Sequence, residues 1–213
     1  MHKIKVEILD STSPKVLKRA LEKPYGAEMR QSSWKSVAKR VILGQKHESV
    51  VEHINFNFDL DGYSRMILQE TARHRLQSKT VASTRFTLTK IVKAVDVEDF
   101  CVIPTNMLKT EDQSDFKYDM QAVYDLQKHL ILKWKDLGYK NDVLKYFLSE
   151  ATRTTEVATF NVRSLYNLFR LRLVKTKDNN PHPEFMYLTN LMLDEINKTE
   201  WAWLFDHIEE ERK

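Results

Sequence analysis

The chain reads as an α+β protein, an antiparallel sheet flanked by helices, and three observations carry that reading. Ile54, Phe56, Phe58 and Leu60 alternate with Asn55, Asn57 and Asp59, the period-two pattern of a strand with one buried and one wet face. Residues 107 to 137 instead place Met120, Val123, Tyr124, Gln127, Leu130 and Ile131 three and four apart, the period of a helix. No repeat or linker divides the chain, so residues 1–213 are expected to form one domain, with the helices segregated from the sheet.

The elements follow in order. Lys3 to Leu9 alternates, with Ile4, Val6 and Ile8 on one face, and predicts a first strand. Ser13-Pro14 opens a helix, the serine capping and the proline in the first turn, and Pro24 and Gly26 close it. A second helix is expected over Ser33 to Leu43, stopped by Gly44, and the clear strand then runs from His53 to Leu60. Gly62 is expected to break that strand, with a helix from Tyr63 to about Arg75 and a returning strand from Phe86 to Val95. Helices are expected over Asn141 to Ser149, Asn161 to Leu173 and Glu184 to Phe205, with a loop from Lys175 to Pro183.

Composition bounds the function. The 213 residues are 42% hydrophobic and 30% charged, with four glycines and five prolines, enough for a proper core. A formal charge of +4 is too small to imply a general nucleic-acid binder and fits a charged small molecule at a local basic site. Cys101 is the only cysteine, which excludes an intramolecular disulfide and an all-cysteine metal site, and no metal is expected. It lies in Phe-Cys-Val-Ile-Pro, a run that reads as buried strand. No stretch approaches the roughly 20 apolar residues of a membrane span, and the first residues lack the apolar core of a signal peptide. A cytoplasmic protein with no membrane contact is expected.

The most informative segment runs from Arg73 to Phe86. It gathers Arg73, His74, Arg75, Ser78, Ser83 and Arg85 without an acidic residue. A solvated basic helix face would look similar, but such an array of forked donors suits phosphate oxygens. Downstream, Asn161 is placed to cap a helix on which Val162, Leu165, Phe169 and Arg172 share a stripe, while Arg163 and Asn167 lie four apart on another face. An arginine ending an apolar stripe must snorkel outward, pair with a carboxylate or line a site. Upstream stand His47-Glu48-Ser49 and Glu52-His53, just before the strand.

These three segments, in this order and at these spacings, resemble the flavin-dependent thymidylate synthases over residues 47 to 172. The resemblance implies that family's fold, with FAD bound by Ser49, Glu52, His53, Arg73, His74, Arg75, Asn161, Arg163 and Asn167. It implies a deoxypyrimidine monophosphate, dUMP, held by Glu70, Arg73, Ser83, Thr84, Arg85, Lys145 and Arg172. Arg172 is the expected catalytic residue, stabilising the pyrimidine N3 anion, and no cysteine nucleophile is needed. Methylenetetrahydrofolate as carbon donor, NADPH as reductant and a homotetramer with shared sites are implied in the same way.

The chain departs from the family at several positions. Thr80 and Val81 stand where asparagine and glutamate are usual, Phe86 where tyrosine is, and Lys145 where arginine is common. Glu70 replaces a glutamine, although Gln69 lies beside it, and Pro181-His182-Pro183-Glu184 replaces an alanine-glutamine-tryptophan-glutamate stretch. Two alternatives therefore stand beside dTMP synthesis: a related C5 methylase or hydroxymethylase acting on dCMP, and a non-catalytic nucleotide- or RNA-binding relative.

Overall fold

The computed structural model describes residues 4–26, 28, 30 and 34–212. In chain order the elements are β1 (Lys5–Ser11), α1 (Pro14–Glu22), α2 (Trp34–Lys39), β2 (Asn55–Ser64), α3 (Arg65–Thr71), β3 (Gln77–Val81), α4 (Thr84–Ile91), α5 (Val97–Phe100), α6 (Gln113–Asp136), α7 (Asn141–Leu144), β4 (Arg153–Asn161), α8 (Val162–Arg172), α9 (Pro183–Asn197) and α10 (Asp206–Glu211). The strands form one antiparallel sheet in the order β1-β2-β4-β3, the expected α+β architecture.

The chain forms two compact units, between which β2 and β4 each pass. The first comprises Met1–Lys5, Leu60–Arg73 and Thr80–Glu156. Its core includes a cluster of Val97, Phe100, Cys101, Ile103 and Tyr124 and another of Leu88, Val92, Ile131 and Leu144. The second comprises Val6–Asp59, His74–Lys79 and Val157–Lys213. There Phe205 meets Phe56, Tyr166 and Phe169 at 5.4 to 6.3 Å between ring centroids, and Trp201 donates to the Thr12 carbonyl at 3.0 Å. Such edge-on aromatic contacts add to the apolar burial that holds the unit together.

Several expected elements hold. Ser13 accepts the Lys15 N–H at the start of α1, Gly26 closes that region at φ 61°, and Asn161 caps α8. α2 continues as a π-helical turn to Gly44. Lys3 and Ser33, the first residues of two expected elements, lie outside the described residues.

Others differ for physical reasons. Gly62 does not end β2; at φ 82° it bends the strand, and Ser64 caps α3 by accepting the Ile67 N–H. α3 stops at Thr71, short of Arg75, where the Thr71 hydroxyl donates to the Leu68 carbonyl. Residues 84–91 are helical, not the start of a strand over 86–95, because Leu88 and Val92, four apart, bury together against Ile131 and Leu144. Two strands, β3 and β4, were unexpected. On β4 the buried positions Thr154, Glu156, Ala158 and Phe160 alternate correctly, but two are polar and hide the period. The helix expected over Glu184 to Phe205 is α9, which ends at Asn197, where the Thr199 hydroxyl donates to the Ile196 carbonyl and accepts from the Trp201 N–H. Cys101 sits in an isolated bridge with Thr152 instead of a continuous strand.

Candidate functional site

In the second unit, α8 packs on the 3-10 turn Glu48–His53, which presents Ser49, Glu52 and His53 to solvent. Asn161 accepts the Ser164 N–H at 2.8 Å, satisfying an orphan donor of the first turn and fixing where α8 begins. Two residues on, Arg163 donates to Glu52 and lies 3.8 Å from Glu48. The Glu52 hydrogen bond raises the Arg163 pKa. Glu48 also reaches Arg170 at 3.9 Å, and Arg170 reaches Glu211 at 3.3 Å. Arg163, Asn167 and Arg170 thus share an outward face, with Asn167 exposed between two braced arginines. Ion pairs this exposed add little stability, so their effect is to orient the guanidinium groups.

Arg172 occupies a more enclosed setting. Val162, Leu165 and Phe169 are buried along their stripe, and Arg172 at its end is half-buried. Its Nε donates to His74 Nε2 at 3.3 Å, and its guanidinium carbon lies 5.0 Å from the centroid of the buried Phe185 ring. The His74 ring meets Phe185 edge-on at 6.1 Å. The imidazole acceptor and the aromatic face together fix the direction of the Arg172 guanidinium.

The segment Arg73–Phe86 is not one continuous array. It comprises a turn, β3 and the start of α4, and the division between units falls after Arg73 and again after Lys79. Glu70 and Arg73 close α3, the Arg73 N–H donating to the Glu70 carbonyl at 3.2 Å, and both Arg73 and Arg75 are exposed. The Ser83 carbonyl receives the Phe86 and Thr87 N–H groups at 3.0 Å each, which starts α4 at Thr84. Arg85 Nε lies 2.5 Å from Asp142 Oδ1, and Lys145 Nζ lies 3.7 Å from the same oxygen. The Asn141 amide donates to the Arg85 carbonyl at 2.5 Å.

The first unit therefore assembles Arg85 with Lys145, and the second assembles Glu52 with Arg163 and His74 with Arg172. Sequence reading gave no role to Glu48, Asp142 or Phe185. Only Asp142 left a usable sign, three residues before Lys145 on a helical stretch. Of the departures, Val81 ends β3, Phe86 is 83% exposed, and His182 caps α9 by accepting the Glu184 N–H. Cys101 is buried 3.9 Å from the Ser149 hydroxyl, and burial pushes its thiol up to about 11, so it is protonated at neutral pH. Elsewhere in that unit, burial first and the Glu156 carboxylate second raise the Tyr63 phenol. Among the described residues no group of three His, Cys, Asp or Glu side chains is arranged to hold a metal, and no helix is long and apolar enough to cross a membrane.

The sequence model of the family described as thymidylate synthase complementing protein matches residues 7–200. The chain belongs to this family. It is 34% identical over 139 residues to a flavin-dependent thymidylate synthase of Wolinella succinogenes, covering 64% of this chain and 66% of that protein. With the flavin-dependent thymidylate synthase of Helicobacter pylori strain J99 it shares 32% over 168 residues, 76% of each chain. A crystal structure of thymidylate synthase X from Helicobacter pylori with FAD and dUMP superposes with a TM-score of 0.75, at 24% identity, over 96% of this chain and 98% of that one. A UMP/dUMP methylase from Streptomyces cacaoi, bound with 5-bromo-UMP, superposes at 0.73 and 18% identity over 97% and 95%. At these identities the superpositions establish the fold of the family.

Proposed function

We propose that this chain is a flavin-dependent thymidylate synthase that methylates C5 of dUMP to give dTMP, with methylenetetrahydrofolate as carbon donor, FAD as cofactor and NADPH as reductant. The observation that carries the reading is Arg172, a permanently charged donor held by His74 and Phe185 on the family's own helix. Such a group stabilises negative charge at the pyrimidine N3 and so activates C5, and being held in advance it needs no reorganisation as charge develops.

The residues of the second unit suit a flavin. Arg163 has N–H groups beyond the one given to Glu52, Asn167 presents an exposed amide on the same face, and Ser49 and His53 stand exposed on the turn beneath α8. This donor set matches the carbonyl and phosphate acceptors of FAD, with His74, Arg75 and Asn161 as further contacts. When bound, the reduced flavin supplies hydride. The nucleotide falls to Glu70, Arg73, Ser83, Thr84, Arg85 and Lys145, whose two cations beside Asp142 suit a phosphate. The match over residues 7–200 crosses both units and supports one domain. A homotetramer in which subunits share sites is part of the same proposal, and the outward polar face of α8 is compatible with it; a cytoplasmic location is proposed with it.

The test is to incubate the purified protein with dUMP or dCMP, methylenetetrahydrofolate, FAD and NADPH. Formation of dTMP from dUMP is expected. Product from dCMP alone would move the chain to cytosine chemistry, and a protein that neither binds flavin nor turns over would be a nucleotide-binding relative.

A further inference from the structure

We propose that Asp142 is a positioning residue that holds Arg85 and Lys145 together as a two-pronged cradle for the nucleotide phosphate. The inference rests on the reading of those two cations as nucleotide-binding and adds to it the group that sets their geometry. One carboxylate oxygen lies 2.5 Å from Arg85 Nε and 3.7 Å from Lys145 Nζ. Two cations converging on one site repel each other, and in water each would choose a different rotamer. The carboxylate between them offsets that repulsion and leaves the three named groups with one net positive charge. A phosphate monoester carries about −1.5 to −2 charges, so an attraction for it remains.

The engagement of Arg85 is specific. Asp142 takes the Nε edge, so the terminal nitrogens stay available to phosphate oxygens. Asn141, the preceding residue, donates to the Arg85 carbonyl, so side chain and backbone of Arg85 are tied to the first turn of α7. Lys145 follows directly after that helix and meets the same oxygen from its own i,i+3 spacing. Arg85, Asp142 and Lys145 side chains are 61%, 49% and 35% exposed, so the cluster contributes little to folding and its geometry serves binding.

The experiment titrates FAD-loaded protein with dUMP and with deoxyuridine, which lacks the phosphate. D142N should weaken dUMP binding about tenfold, as for loss of a charge-assisted contact, and leave deoxyuridine unchanged. D142E, which retains the charge, should recover most of the dUMP affinity. In turnover D142N should raise KM for dUMP with kcat held within about twofold. D142S is read in the same way should D142N fail to fold. The proposal is overturned if the variant binds dUMP as tightly as wild type or more tightly, or if it loses dUMP and deoxyuridine equally. Wild type that binds dCMP in place of dUMP, with the same dependence on Asp142, would defeat the uracil assignment and uphold the cradle. Wild type that binds no nucleoside monophosphate would defeat both.

Discussion

The two arginine clusters differ in how their charge is compensated. In the second unit Arg163 and Arg170 meet Glu52, Glu48 and Glu211, three carboxylates for two cations. In the first, Arg85 and Lys145 share, among the described residues, the single carboxylate of Asp142. Both are exposed, so neither does much for stability, and the contrast concerns ligands. An over-compensated cluster orients arginine N–H groups without drawing anions strongly, which suits the carbonyl-rich ring of a flavin. An under-compensated cluster retains attraction for a compact dianion. Arg172 belongs to neither kind: it is half-buried, its Nε donates to His74 and its guanidinium lies over the Phe185 ring, so its orientation is set by an imidazole and an aromatic face.

That distinction is broken most directly at Arg172. Arg172→Ala should lower kcat about 10²- to 10³-fold, the usual loss for a group that stabilises charge in the transition state, while FAD absorbance of the purified protein is kept. Arg172→Lys should recover little, because a point charge cannot both face the Phe185 ring and donate to His74. Survival of turnover in Arg172→Ala would remove the proposed role. Next in size, Glu52→Gln should weaken FAD binding about tenfold, followed by flavin fluorescence, with the dUMP affinity of the loaded enzyme little changed. A double-mutant cycle with Arg163→Gln should show the two substitutions to be strongly non-additive. An equal loss of FAD and dUMP affinity would mean that the clusters are not separate in function.

Much of this was legible in the sequence, for reasons that vary by element. The buried aromatics of β2 and the capped apolar stripe of α8 announce themselves because burial alone dictates them. β4 does not, since Thr154 and Glu156 occupy buried positions that a hydrophobic pattern leaves out. Thr87-Leu88-Thr89 has strand-like composition, and only the distant Ile131 and Leu144 make it helical. The same division applies to the site. Arg163, Arg172 and Arg85 stand out by residue type and spacing, and the resemblance is what gives them their proposed roles. Asp142, Glu48 and Phe185 lay outside that reading because a side chain that orients another is defined by a meeting in space. Phe185 lies 13 residues beyond Arg172, past a loop, and no periodicity links the two.

A smaller effect tests whether the first unit needs only charged groups. Cys101 is buried, and its thiol is pushed up to about 11 by burial, outweighing the lowering influences of Ser149 and Arg153. Cys101→Ala should leave kcat and KM for dUMP unchanged and cost about 1 to 2 kcal/mol in urea unfolding, the scale of a small core truncation. Loss of turnover in a folded Cys101→Ala protein would mean that a nucleophile, and not preorganised charge, activates the base.

The smallest expected effect belongs to the over-compensated cluster and is read by pH. His207 packs edge-on against Tyr166 at 4.6 Å, and its pKa is lowered, by burial first and then by Arg170, against the opposing pull of Glu211, Glu48 and a backbone hydrogen bond with Leu204. A histidine whose folded pKa lies below its unfolded value of about 6.5 binds fewer protons in the native state. Stability therefore rises with pH through this window: the contribution is complete above about 6.5 and is lost as pH falls toward the folded value. His207→Gln should flatten the dependence of urea-unfolding free energy on pH between about 6.5 and 5, compared with wild type. If wild type instead gains stability on acidification in that range and His207→Gln abolishes the gain, the carboxylates outweigh burial at this point. Three carboxylates for two arginines would then make the second unit an attractor of positive charge, and its arginines would need the flavin phosphates to be held elsewhere.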